Sequence, residues 1–207
     1  MVREYSGVFY NKEMERYIHL DFGHGVNVAG KQSPDGRLKE YKWARAYGKM
    51  LQQALIAEGY KTFIVVEEER EPTLSVRVKR ANKFYKENRG QHIFVSIHCD
   101  AFGTSFNNAN GMSVRVGTNS GKKSKKLAQC ITKEALAANL TGNRCVPPCM
   151  YWEQNLYVCN NTLMPAVLIE HGFMTNKDDV EFMLSLEGRK QLIDVTLKGI
   201  KKYFDSL

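Results

Sequence analysis

Residues 165–173 read PAVLIEHGF, five apolar positions that lead directly into the carboxylate of Glu170. A short, continuous apolar run of this kind is typical of a strand that is buried on both faces, as in a parallel sheet. A carboxylate at the end of a buried strand is costly to keep charged unless a proton, a metal ion or a catalytic role compensates. Glu170 is therefore the first candidate functional residue of the chain.

Two other apolar runs end in the same way on a potential metal ligand. Residues 17–21, YIHLD, open into the loop FGHGV, which carries His24. Residues 93–97, IFVSI, lead into His98. The carboxyl ends of parallel strands meet at one edge of an α/β sheet, where ligands bind. We therefore expect His24, His98 and Glu170 to face one crevice.

Predicted strands and helices alternate along the chain, apart from a long loop expected over 141–163. The apolar runs predict strands at 17–21, 61–66, 93–98, 112–116 and 165–170. Helical spacing predicts helices at 38–58, 73–88, 124–139 and 178–204, the last of them split near Gly188. This alternation indicates a single α/β domain with a mostly parallel, twisted sheet of about six strands and helices on both faces.

Composition excludes a disordered chain and favours anionic surroundings. The 207 residues are 43% hydrophobic, which is enough for a core, and carry a formal charge of +8. Such a charge suits nucleic acid, anionic lipid or the acidic polymers of a bacterial wall, and by itself does not choose among them. The one dense basic cluster, residues 122–126, is interpreted as a solvated helix face.

Neither the N-terminal sequence nor the cysteines indicate a membrane protein or a disulfide-rich protein. Residues 1–7 lack the apolar core of a signal peptide, and no apolar stretch approaches the ~18 residues of a membrane span. The five cysteines form no pair of CxxC motifs, and their odd count argues against a complete disulfide framework. Cys145 and Cys149 are interpreted as free loop thiols, with a loop disulfide or half a metal site as the alternatives. Cys99 should face away from His98, because side chains alternate along a strand.

The histidines that follow two of the predicted strands are candidate metal ligands. Hydrolytic zinc sites take three ligands from His and carboxylate and leave a fourth position open. His24 and His98 supply two imidazoles, and Glu40, in the first turn of the following helix, suits the third place. A carboxylate there also complements the helix dipole, which is the alternative explanation for Glu40. His19 and His92 are interpreted as ordinary strand histidines.

Several blocks of the sequence are similar to those of zinc-dependent N-acetylmuramoyl-L-alanine amidases of the amidase-3 type. The blocks occur in the order of that family over about residues 17–184, and together they are specific although each alone is weak. They are LDFGHG at 20–25, Glu40, LSVRVKRAN at 74–82, SIHCDA at 96–101, GMSV at 111–114 and PAVLIEHGFMTN at 165–176. Departures from the pattern are Phe22, Val26, Asp100 and His171, none of which is a proposed chemical position.

The resemblance implies that His24, Glu40 and His98 bind Zn²⁺ and that Glu170 is the catalytic carboxylate. The substrate would be the amide between the lactyl group of N-acetylmuramic acid and L-alanine in peptidoglycan. Arg144 lies near an arginine of the family and is a weak candidate for a substrate carboxylate. Asp21 is a candidate partner of a ligand imidazole, or an anchor of its loop.

The resemblance also implies a protein of one catalytic domain over 1–207, without a separate wall-binding domain. We expect a monomer that binds peptidoglycan, not nucleic acid, and that does not insert into a membrane. It would act on the bacterial wall, either as an endolysin that stays cytoplasmic until released or as a mature exported fragment of an autolysin. Two alternatives remain: a zinc peptidase that cuts stem peptides, and a non-catalytic wall-binding module, against which the retained Glu170 argues.

Overall fold

The computed structural model describes residues 14–207, which form six strands and six helices. The strands are β1 (Arg16–Phe22), β2 (Lys61–Ile64), β3 (Gln91–Asp100), β4 (Ser113–Gly117), β5 (Trp152–Gln154) and β6 (Ala166–Phe173). The helices are α1 (Glu40–Ala57), α2 (Leu74–Glu87), α3 (Lys122–Ala137), α4 (Tyr157–Asn161), α5 (Lys177–Leu184) and α6 (Leu186–Phe204). The expectation about residues 1–7 concerns residues outside the part of the chain that the structure describes.

One mixed sheet organises the domain, in the strand order β2-β1-β3-β6-β4-β5. The first four strands of this order pair in parallel, β4 pairs antiparallel with β6, and β5 pairs parallel with β4. The predicted mostly parallel sheet of about six strands is therefore confirmed. β6 is buried along its whole length, which explains why its sequence reads as a continuous apolar run.

Helices cover both faces of the sheet, as the alternating pattern predicts. On one face, α1, α3, α5 and α6 enclose the larger hydrophobic core, to which Leu51, Leu127 and Ile200 belong. On the other face, α2 and α4 cover a smaller core, which includes Val78 and Val158. Both faces of the central strands are thus removed from water, and only their ends are open to ligands.

One predicted loop is wrong, and one predicted break is shifted by three residues. The expected loop over 141–163 contains β5 and α4, which have only three and five residues and are too short for a periodic apolar pattern. The last helical segment is divided in two as predicted, and the break falls at Ser185, three residues before Gly188. The Ser185 hydroxyl accepts a hydrogen bond from the Gly188 N–H at 2.9 Å and so caps α6. Gly188 lies inside the first turn, where a Cβ atom would be 2.0 Å from the carbonyl oxygen of Phe182.

His19 and His92 form a buried pair on the face covered by α2. His92 Nε2 lies 3.0 Å from the carbonyl oxygen of Asn88, which can only accept, so His92 donates there. The neutral His92 Nδ1 then accepts from His19 Nε2 at 2.9 Å. Phe63 and Phe84 pack edge-on against the His19 ring. Both histidines are thus structural, as expected from the sequence.

The His19–His92 pair should make the fold sensitive to acid. Burial, and then the neighbouring His92, lower the pKa of His19 to about 3. Because the unfolded chain takes up this proton near pH 6.5 and the folded chain does not, stability is full above pH 6.5 and falls as the pH drops toward 3. The loss from one such group is about 1.4 kcal/mol per pH unit. Urea unfolding between pH 7 and pH 5 should therefore show a shallower pH dependence for His19→Leu than for the wild type. Equal slopes would contradict this account.

Other sequence interpretations concern the surface and the thiols. Among residues 14–207, no helix is long and apolar enough to cross a membrane. Lys122, Lys123 and Lys126 at the start of α3 are exposed, and Lys125 pairs with Glu153, in agreement with a solvated face. All five cysteines are free, with Cys145 and Cys149 exposed and the other three buried.

Candidate metal and catalytic site

The carboxyl ends of β1, β3 and β6 bring the three predicted side chains to one edge of the sheet. β1 pairs with β3 as far as Phe22, and the Gly23 N–H extends the ladder to the carbonyl oxygen of Ile97 at 2.9 Å. A Cβ atom at Gly23 would lie 2.7 Å from the His98 ring, so only glycine allows this approach. His98 in β3 is directly opposite Glu170 in β6. The strand pairing therefore brings His98 beside Glu170, and His24 follows the neighbouring end of β1.

Glu40 is the first residue of α1 and points between the two imidazoles. Its side chain is only 1% exposed. Oε1 lies 3.0 Å from His98 Nδ1 and accepts a hydrogen bond from the backbone N–H of Cys99, also at 3.0 Å. Oε2 lies 3.5 Å from His24 Nε2. A carboxylate that served only the helix dipole would face solvent, so its burial between two histidines favours the ligand interpretation of Glu40.

His24, Glu40 and His98 fit a zinc ion. Each offers one ligand atom, and the three atoms lie within 4.8 Å of one another. Two imidazoles and one carboxylate are a donor set of catalytic zinc sites. Within the described part of the chain, Glu40 Oε2 is buried without a hydrogen-bond partner. A cation between Glu40 and His24 would satisfy that oxygen, which otherwise carries a desolvation cost.

The protonation of this cluster also suits a cation. Burial lowers the pKa of His24. Burial alone would also lower the pKa of His98, but the hydrogen bond and charge of Glu40 raise it overall. For Glu40, burial works to raise the pKa, while His98 and His24 lower it overall. Both pKa shifts favour the charged forms of Glu40 and His98, and a metal ion bound here would take the place of the proton on His98.

Glu170 is buried beside His24, Glu40 and His98, and its pKa is strongly raised. Burial raises the pKa of Glu170 to about 7, while the charges of His98 and Arg115 oppose the shift. Oε2 has no hydrogen-bond partner among the described residues. Arg115 Nη1 lies 3.9 Å from Oε1. A carboxyl group that changes protonation near neutral pH is suited to general acid–base chemistry.

Arg115 is a residue of the site that the sequence analysis missed. It lies on β4, inside a predicted strand, and only the antiparallel pairing of β4 with β6 brings it to Glu170. Its guanidinium donates hydrogen bonds to Asp100 and to Gln154. Asp100 is one of the departures from the family pattern. A partly buried aspartate needs a cationic partner, so Asp100 was the one signal in the sequence that could have pointed to an arginine such as Arg115.

Arg144, the candidate for a substrate carboxylate, lies at the same rim. Its guanidinium donates to the carbonyl oxygen of Gly111 at 2.8 Å and to Asp100 at 2.7 Å. The guanidinium carbon is 4.2 Å from the centre of the Phe173 ring. Three partners hold Arg144 in place, and its contact with a substrate stays a prediction. Asp100 thus anchors two arginines, which gives a physical reason for aspartate at this position.

Packing explains two of the other departures from the family pattern, Phe22 and His171, whereas Val26 is 50% exposed and nothing in the structure explains it. The Phe22 ring fills space over α1, where a Cβ atom at Gly48 would be 2.1 Å from it. His171 is buried against Trp43 and Tyr47, and its Nδ1 lies 3.1 Å from the carbonyl oxygen of His98. Burial lowers the pKa of His171 to about 4, so the ring is neutral. Only Nδ1 of the ring is satisfied, because His171 Nε2 is buried without a hydrogen-bond partner among the described residues.

Arg77 holds the base of the site together. Its buried guanidinium donates to Asp21 at 2.7 Å and to the carbonyl oxygen of Phe22 at 2.7 Å, and it pairs with Glu71 at 3.1 Å. Asp21 also accepts from the hydroxyl of Ser96 at 2.6 Å. Of the two roles considered for Asp21, these contacts favour the anchoring of the loop that follows β1.

Replacing Arg77 with methionine should destabilise the fold by about 3–5 kcal/mol, because it leaves the buried carboxylate of Asp21 without its partner. Urea unfolding measures the loss. Arg80→Met is the matched control, since Arg80 lies on the same helix and pairs with Glu68 near the surface. We expect a loss below about 1 kcal/mol there. Similar losses in the two variants would contradict the special role of Arg77.

An α/β sheet whose edge carries a candidate His–Glu–His ligand set beside a buried carboxylate is the arrangement expected of a hydrolase. The family model that describes N-acetylmuramoyl-L-alanine amidases of the amidase-3 type matches residues 18–202. The chain belongs to this family.

Curated relatives agree with this assignment. The probable cell wall amidase LytH of Staphylococcus epidermidis is 31% identical over 199 residues, which are 91% of this chain and 58% of that relative. The uncharacterized protein YqiI of Bacillus subtilis is 28% identical over 195 residues, covering 91% of this chain and 84% of YqiI. The chain thus spans little more than half the length of the LytH relatives.

Solved structures share the fold. An N-acetylmuramoyl-L-alanine amidase from Clostridium difficile 630 superposes with a TM-score of 0.80 at 23% identity, covering 93% of this chain and 98% of that one. The catalytic domain of CwlV from Bacillus (Paenibacillus) polymyxa var. colistinus gives a TM-score of 0.77 at 23% identity, with 92% and 98% covered. At this identity the likeness establishes the single-domain α/β architecture.

Proposed function

We propose that the protein hydrolyses the amide bond between N-acetylmuramic acid and L-alanine in bacterial peptidoglycan, and that it depends on zinc. The observation that carries the proposal is the His24–Glu40–His98 set, with its ligand atoms within 4.8 Å of one another and Glu170 directly opposite His98. Family membership supplies the substrate, and the relative LytH is named as a probable cell wall amidase.

The proposed roles follow from the surroundings of each residue. When bound to His24, Glu40 and His98, zinc supplies Lewis-acid chemistry, polarising a carbonyl oxygen and making a water molecule more acidic. Glu170 accepts the proton of the attacking water and donates it to the nitrogen of the departing amine. Because burial raises its pKa to about 7, Glu170 can act both as the general base and as the general acid near neutral pH.

The proposed location of action is the cell wall. A formal charge of +8 attracts the protein to anionic wall polymers, and such attraction weakens as salt rises. We propose that residues 1–207 include one catalytic domain that acts as a monomer, either in lysis as an endolysin or in remodelling as an autolysin.

Cleavage of purified peptidoglycan tests the proposal. The zinc-loaded protein should release new amino termini on L-alanine without new reducing sugar ends, and a chelator should abolish the release. New amino termini at other residues would favour a peptidase of stem peptides. A folded, zinc-loaded protein that binds the wall without cutting it would favour a binding module.

A further inference from the structure

The segment between β2 and α2 is held against the loop that follows β1. The Val26 N–H donates to the carbonyl oxygen of Glu69 at 2.8 Å, and the Glu71 N–H donates to Asn27 Oδ1 at 2.7 Å. A Cβ atom at Gly25 would lie 2.1 Å from the Glu71 nitrogen. The two segments are therefore packed together, and the side chain of Glu71 is brought to the loop that carries His24.

His24 presents its two ring nitrogens to two different carboxylates. Nε2 lies 3.5 Å from Glu40 Oε2, on the side of the candidate metal site. Nδ1 lies 3.6 Å from Glu71 Oε1 and has no hydrogen-bond partner in the described chain. A rotation of the ring that shortens this distance by about 0.5 Å would make a normal hydrogen bond.

Glu71 is fixed in the position from which it can accept that bond. Its Oε1 pairs with Arg77 Nη2 at 3.1 Å, and the side chain of Arg77 is only 2% exposed. Arg77 is held in turn by Asp21. Because the partner of Glu71 is buried and fixed, the carboxylate keeps its place beside the imidazole.

We propose that Glu71 is a positioning residue that accepts a hydrogen bond from His24 Nδ1–H and so aims Nε2 at the metal ion. Metal-ligating histidines commonly donate their second N–H to a carboxylate, which fixes the tautomer and raises the basicity of the ligand. Asp21, which the sequence suggested for this role, instead faces Arg77 and Ser96. The inference rests on the proposed zinc site.

Zinc affinity of the full chain tests the proposal without any activity assay. Competition with a chromophoric chelator should give Glu71→Gln a zinc dissociation constant about 10–100-fold higher than that of the wild type. Thermal unfolding of the metal-free protein is measured in parallel, because a purely structural defect lowers metal-free stability and leaves the zinc affinity of the folded protein unchanged.

Glu69→Gln is the matched control, since it removes the same charge from the same segment and Glu69 forms no ion pair with His24 among the described residues. Its zinc affinity should equal that of the wild type. If Glu71→Gln does not fold, Glu71→Asp keeps the charge but withdraws the carboxylate from Nδ1, and it should also bind zinc more weakly. Wild-type affinity in either folded Glu71 variant overturns the inference. A wild-type protein that does not bind zinc overturns the proposed metal site itself.

Discussion

Glu170→Gln is expected to lower the rate of amide cleavage by about 10²–10⁴-fold, the usual worth of a positioned general acid–base group. Glutamine has the shape of protonated glutamate, and burial, which raises the pKa of the Glu170 carboxyl group to about 7, favours the neutral form at this position. The variant should therefore fold and keep its zinc, and only proton transfer should be lost. Release of L-alanine amino termini from peptidoglycan measures the rate, with zinc content measured on the same sample.

A second readout for Glu170 is the pH dependence of the wild-type rate. The base must be ionised, so kcat/KM should fall as the pH drops through the pKa of Glu170, at or below about 7 when a metal cation is bound nearby. Glu153→Gln is the control, because Glu153 is an exposed glutamate that pairs with Lys125. It should cleave like the wild type. Cleavage by Glu170→Gln at the wild-type rate would rule out a catalytic role.

Glu40→Gln is expected to remove zinc from the protein and with it the activity. A glutamine can still accept the hydrogen bond from the Cys99 N–H, so the end of α1 keeps its contact with β3. It lacks the negative charge that a zinc ligand supplies at this position. The zinc dissociation constant should rise by more than about 10–100-fold, which is the usual effect of replacing a residue that only hydrogen-bonds to a metal ligand.

The control for Glu40→Gln is Glu58→Gln, at the other end of the same helix. Glu58 is the exposed C-cap of α1 and pairs with Lys201, so its replacement changes the charge of the helix equally without touching the site. Metal content by atomic emission and peptidoglycan cleavage should both match the wild type. Full zinc content and normal cleavage in Glu40→Gln would refute the proposed ligand set.

The strand ends were predictable because their signal is local. A run such as residues 165–169 is apolar throughout only when both faces of the strand are buried, and the polar residues that follow it lie toward the carboxyl end of the strand, where ligands bind. His24, His98 and Glu170 were found in this way. The helix bounds of α1 and α2 were close for the same reason, since the 3.6-residue period of a helix is visible within the helix itself.

β5, α4 and the position of the break before α6 were not predictable by the same means. The two short elements contain too few residues for a period, and their boundaries depend on pairing with β4 and on packing against α2. The Ser185 cap competes with Gly188 as a break signal, and the close approach of Phe182 to Gly188 decides between them. Such an approach is a fact of packing that no local pattern encodes.

The chain alone was enough for the fold class, the family and the four residues proposed for the chemistry. His24, His98 and Glu170 follow from which side chains end the apolar runs, Glu40 from its place in the first turn of a predicted helix, and the family from the order of the sequence blocks. The partners of those residues depended on three-dimensional packing. Arg115 reaches Glu170, Arg77 anchors Asp21, and Glu71 reaches His24 across separations of 47 to 56 positions in the chain. Charges interact through space and with a strength set by burial, so their pairing is determined only when the sheet and its helices have closed around them.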